Sequence, residues 1–176
     1  MADDRYWDDM FGHIEAGKHD VNALVSWSRK GTLLHFAADT NNVEAGKRLL
    51  QLGADASLRA PSGFTPMHDA IWKGHAEFCT ILPAYCLTQT TPNGHTALQW
   101  SCMRRSYRPP NIPLILWLLD QFETEPDAKS LKWITKSPDV SAEVKQTIQA
   151  VFAAAFGRKR RWTVARAAWL AACCAV

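Results

Sequence analysis

The chain has no long hydrophobic run. Its longest uninterrupted apolar stretch, Ala167 to Val176, is ten residues, against the roughly 18–20 needed to cross a bilayer as a helix. No secretory leader is expected, because Met1-Ala2-Asp3-Asp4 is acidic and no apolar segment follows it. Cysteine is sparse and unpaired in pattern. The five residues Cys79, Cys86, Cys102, Cys173 and Cys174 are odd in number and contain no CxxC, so neither a disulfide framework nor a zinc site is implied, and a reducing, cytoplasmic setting is expected. Catalytic signatures are missing as well. There is no HExxH, no GxSxG, no P-loop and no GxGxxG. These absences lead to the expectation of a non-enzyme with no cofactor and no bound metal.

What is present is ordinary in bulk and uneven in detail. The 176 residues are 47% hydrophobic and 21% charged, the proportions of a globular chain with one core. Of the net charge of +3, the last twenty residues contribute +5 through Arg158, Lys159, Arg160, Arg161 and Arg166, leaving the rest at −2. A mildly acidic body argues against nucleic acid as its partner.

The informative feature is self-similarity. Thr32-Leu33-Leu34-His35 returns as Thr65-Pro66-Met67-His68, 33 residues on, and Glu44 and Leu49 recur at the same spacing as Glu77 and Leu82. Asn41-Asn42 corresponds to Gly74-His75. A third copy opens at Gly94-His95-Thr96-Ala97-Leu98, 31 residues after the second. Thr65 can cap a helix with Pro66 at its first position, where a missing N–H costs nothing, and Gly74 and Gly53 stand where helices end.

With Gly63-Phe64-Thr65-Pro66-Met67-His68-Asp69-Ala70 and Leu49-Leu50-Gln51-Leu52-Gly53-Ala54-Asp55-Ala56, the pattern resembles the ankyrin repeat, a unit of about 33 residues made of a turn and two helices. The resemblance implies an all-α ankyrin-repeat solenoid with short β-hairpin loops, to which the residues after Phe122 are expected to add a helical C-terminal extension. It also implies buried, structural roles for His35 and His68.

The spacing predicts four regions. Residues 1–27 form an N-terminal cap of two helices, one carrying Tyr6, Met10 and Ile14 and one running from Asp20 to Val25. Measured from Val25 to Thr32, this unit is too short for a hairpin. Residues 28–122 hold about three repeats, the third irregular. There Gln99 replaces the histidine, and Arg108-Pro109-Pro110 lies in an insertion of about five residues. Pro83 is expected to end its helix early. Residues 123–156 supply capping helices, the main one from Ser137-Pro138 to Gly157, and residues 157–176 form a tail.

Ankyrin proteins usually bind a partner protein through their concave face, built from hairpin tips and exposed positions of the first helices. Carried onto this sequence, that surface comprises Ser28, Arg29, Asp39 and Thr40 from the first clear unit, and Pro61, Ser62, Phe64, Trp72 and Lys73 from the second. The third supplies Pro92, Asn93, His95, Met103 and Arg104. Phe64, Trp72 and Met103 are large apolar residues that stacking does not require, and aromatic and Met residues beside Lys and Arg make up many binding hot spots. They can equally pack on one another.

The tail admits several readings. Arg158, Lys159, Arg160 and Arg161 fit a nuclear signal, an anionic-surface patch or a solvated charge run. Trp162 to Val176 could lie in a membrane interface. Cys173 stands where a loose C-a-a-X pattern would be lipidated. The expected function is therefore a cytoplasmic adaptor or scaffold that binds another protein. A membrane-associated targeting protein is the alternative.

Overall fold

The computed structural model describes residues 4–25, 31–103 and 111–121, with isolated positions between 130 and 150. It divides into two compact units, Met1–Trp100 and Ser101–Val176. Regular structure among the described residues is helical, apart from a single antiparallel bridge between Leu24 and Thr32.

In the first unit, α1 spans Asp4–Glu15, α2 Leu33–Thr40, α3 Val43–Gln51, α4 Pro66–Lys73 and α5 Ala76–Ile81, and α6 begins at Ala97. α6 ends at Cys102, across the unit boundary, and α7 spans Ile112–Gln121. Helices this short are marginal alone in water, so packing must hold them. α2 packs on α3 and α4, and α5 on both α3 and α4. The shared core contains Leu34, Leu49, Met67, Ile71 and Phe78, each at most 1% exposed. α3 and α5 approach closely because residue 46 is glycine. A Cβ there would sit 2.6 Å from Phe78 Cε2 and 2.8 Å from Ile81 Cδ1.

Capping follows the sequence. Asn42 accepts the Ala45 N–H at 2.9 Å to start α3, and Asn111 accepts the Leu114 N–H at 3.1 Å to start α7. Pro83 cuts α5 to six residues, and a short 3-10 turn, Ala84–Thr88, takes the place of its last turns. In the second unit Leu114, Ile115 and Leu118 form the buried face of α7. The described positions between 130 and 150, namely Ser130, Lys132, Thr135, Lys136, Ala142, Lys145, Gln146, Gln149 and Ala150, are helical. The expected insertion loop around Pro109 and the tail from Gly157 lie outside the described residues.

The N-terminal region differs from the expectation. No helix runs from Asp20 to Val25, and the hairpin thought to be missing is present. α1 ends with Gly17 N–H donating to Ile14 O at 2.9 Å and Lys18 N–H to His13 O at 2.9 Å. α3 ends the same way, Gly53 to Leu50 at 3.1 Å and Ala54 to Leu49 at 2.9 Å. Asp20 Oδ1 then accepts the Asn22 N–H at 2.9 Å, as Asp55 Oδ1 accepts that of Ser57 at 2.8 Å. α1 is therefore a second helix followed by its own turn. Counting from Val25 misplaced the helix end by ten residues. The first turn of α1 covers the exposed side of α2, with the rings of Tyr6 and Trp7 6.1 and 5.6 Å from that of Phe36.

Candidate functional site

Three hairpins are each closed by a backbone bond, the first across a longer loop than the other two. Val25 N–H donates to Gly31 O at 2.9 Å, Ala60 to Phe64 O at 2.8 Å, and Thr91 to His95 O at 2.9 Å. In the second hairpin Gly63 has φ 82°, a conformation that disfavours any side chain, and a Cβ there would meet Pro92 Cγ of the next hairpin at 2.6 Å. Arg59 ties the same two loops together, its guanidinium donating to Gly63 O at 2.6 Å and to Thr90 O at 3.1 Å. The tips carry Pro61, Ser62, Pro92 and Asn93, all exposed. Ser28 and Arg29 lie outside the described residues.

Each hairpin leads into a first helix through a threonine. Thr32 N–H donates to His35 Nδ1 at 3.2 Å, and Thr65 N–H to His68 Nδ1 at 3.2 Å. Nδ1 must then hold a lone pair, which leaves the ring proton on Nε2. From there His35 donates to Phe64 O of the next hairpin at 3.1 Å, and His68 bonds the Gln89 backbone. Burial pushes both imidazoles down to about 4, against the opposing pull of those backbone bonds; beside His68 the Arg59 charge lowers it further. These histidines are structural, each binding one unit to the next.

The candidate contact residues on the first helices are less free than their spacing suggests. Lys73 Nζ lies 3.1 Å from Asp39 Oδ1, so two of them pair with each other between α4 and α2. The His75 ring contacts the Asp39 carbonyl at 3.2 Å. Thr40 is exposed, but its hydroxyl donates back to Phe36 O at 2.9 Å. Phe64 and Trp72 are half-buried, and both stack on Trp100, at 5.1 and 4.6 Å between ring centres. His95 lies nearly parallel to the same indole at 6.5 Å. Trp100 is itself buried and donates Nε1–H to His68 O at 3.1 Å. Met103 is half-buried in the second unit, and Arg104 lies outside the described residues.

Sequence reasoning passed over Trp100 and Arg59. Trp100 follows Phe64 and Trp72 in the repeat register, being 31 residues after Asp69, and could have been grouped with them. Arg59 gave no signal, because one guanidinium reaching two carbonyls leaves no trace in a spacing. The most exposed large apolar residues among those described, Leu24 and Tyr85 at 60% and 51%, were also outside the expected surface. The buried thiols offer no nucleophile: burial pushes Cys79 up to about 12 and Cys86 to about 11.

Stacked two-helix units with matched hairpins and Thr–His caps define a solenoid of the ankyrin class. The profile of the family described as ankyrin repeats (three copies) matches residues 12–86, and that stretch is an ankyrin-repeat array. The match begins inside α1, so the N-terminal turn and hairpin fall within it. The hairpin and capped helix opening at Gly94 lie beyond it. Protein phosphatase 1 regulatory subunit 12A of Mus musculus and that of Rattus norvegicus are each 34% identical over 99 residues. The aligned region is 55% of this chain and 9% of each relative, so the chain spans about a tenth of their length.

Proposed function

We propose that the repeats are a non-catalytic protein-interaction module, with the row of hairpin tips and the adjoining first helices as the contact surface. The observation that supports this most is the matched closure of the second and third hairpins, tied together by Arg59, which holds Pro61, Ser62, Pro92 and Asn93 exposed at fixed positions. A rigid rim loses little conformational freedom on binding, and that preorganisation is worth affinity. The Phe64–Trp100–Trp72 stack supplies the large apolar area typical of interface anchors. Residues 1–100 hold eight Lys and Arg against eleven Asp and Glu, which suits a protein better than a nucleic acid.

The relatives' name makes protein phosphatase 1 the first partner to test. Binding of the purified phosphatase to the full chain is compared with binding to Ser62→Arg/Asn93→Arg, which charges the tips and leaves the core alone. A complex formed by the full chain and lost in the double variant supports both rim and partner. With no complex, capture from lysate by the same pair of proteins tests the rim alone, and captured partners equally retained by the variant overturn it. Deleting residues 157–176 separates the membrane reading, which requires the deletion to release the protein from membranes.

A further inference from the structure

His13 and His19 stand on either side of Gly17, and no sequence pattern marks them as a pair. The turn that ends α1 brings them together. Lys18 N–H bonds His13 O and Gly17 N–H bonds Ile14 O, and the chain doubles back so that the two imidazole centres lie 5.6 Å apart, their planes 65° from one another. Both residues are exposed. Among the described residues, neither ring has a hydrogen bond or ion pair with another side chain or backbone group, so no ring nitrogen is committed to one of them.

That separation suits chelation. A Zn–N bond of 2.0–2.1 Å plus the ring radius places a metal about 3.2 Å from each ring centre, and two such rings at a tetrahedral angle are about 5 Å apart. The observed centres have to close by a few tenths of an ångström, and the rings, which meet edge to face, have to turn until a nitrogen of each faces the ion. Each imidazole can point one nitrogen at the ion without giving up another bond. No group of three or more His, Cys, Asp or Glu that could hold a metal occurs among the described residues, so water would fill the other positions.

The geometry points to a two-histidine site at the end of α1 that takes a divalent transition ion of the class favouring imidazole, Cu2+ most tightly, then Ni2+ and Zn2+. An ion held there clamps the first turn of the array to its first complete helix. It is independent of the contact surface proposed above.

The test is an NMR titration of the full chain carrying Cys173→Ser and Cys174→Ser, which removes the competing thiols, with Cu2+ as the probe. The expected result is parallel broadening of the His13 and His19 ring signals at substoichiometric Cu2+, reversed by excess Zn2+. His75 and His95 should broaden only later. His13→Gln or His19→Gln, each checked for retained helicity by circular dichroism, should weaken Cu2+ binding at least tenfold, which is about 1.4 kcal/mol. Independent broadening of the two rings, or affinity unchanged in either variant, overturns the site.

Discussion

The units opening at Thr32 and Thr65 carry a histidine three residues on, and the unit opening at Thr96 carries glutamine. The local geometry survives the exchange. Gln99 Oε1 accepts the Thr96 N–H at 3.2 Å, as the histidine Nδ1 does, and Thr96 Oγ1 accepts the Gln99 N–H at 3.2 Å. This is the Thr-x-x-Gln capping box. The surroundings differ. His35 and His68 are at most 1% exposed, whereas Gln99 is only half-buried. The helix start therefore asks for an acceptor of the right reach. The histidine ring adds a rigid, buried body whose far nitrogen holds the next unit.

The largest consequence of that difference is a dependence on acid. The His35 and His68 imidazoles bind a proton near pH 6.5 in the unfolded chain and only at about 4 in the folded one. Between those values the unfolded state holds more protons, so stability rises with pH. The contribution is complete above pH 6.5 and is lost as pH falls through the window towards 4. It is on the order of 3 kcal/mol for each residue. Urea denaturation at pH 7.5, 5.5 and 4.5 should show the loss. His68→Gln, which makes the second unit resemble the third, should remove about half of the histidine-linked part. An unchanged pH dependence in that variant would show that His68 is not protected from protonation.

At neutral pH, truncation separates the two kinds of unit. His68→Ala strands the buried Thr65 N–H and leaves a void beside Phe64. The expected cost is about 2–4 kcal/mol, close to that of truncating a core leucine such as Leu49. Gln99→Ala should cost about 1 kcal/mol or less, since water can reach the freed N–H. The ratio of the two losses, from denaturation midpoints at constant slope, is the decisive quantity. Equal losses would contradict the difference in burial.

The repeat register was legible because it rests on residues that recur at fixed spacing for local reasons: threonine and asparagine caps, Pro66 at a helix start, Gly53 and Gly74 at helix ends. The N-terminal unit was misread because its turn is spelled Gly17-Lys-His-Asp20-Val-Asn22, one residue longer than Gly53-Ala-Asp55-Ala-Ser57. Aligning the two aspartates would have shown the hairpin. The contact surface was legible only as a set of positions. That Phe64 and Trp72 meet on Trp100, that Lys73 is spent on Asp39, and that Arg59 welds two hairpins all depend on side chains from different units. Periodicity carries no information about such meetings.

The smallest effect gives the finest test of the comparison. His68→Gln at pH 7.5 keeps an acceptor for the Thr65 N–H, as Gln99 does for Thr96, so the helix start should remain capped. What is lost is the rigid ring, its packing against Phe64 6.1 Å away, and its bond to the Gln89 backbone. The expected cost is about 1 kcal/mol, one net hydrogen bond. Amide exchange localises it. The Thr65 N–H should keep its protection relative to global unfolding, while the segment around Gln89 opens more readily. Loss of protection at Thr65 instead would mean that a buried unit cannot use the glutamine cap, and that the third unit tolerates it only because Gln99 is reached by solvent.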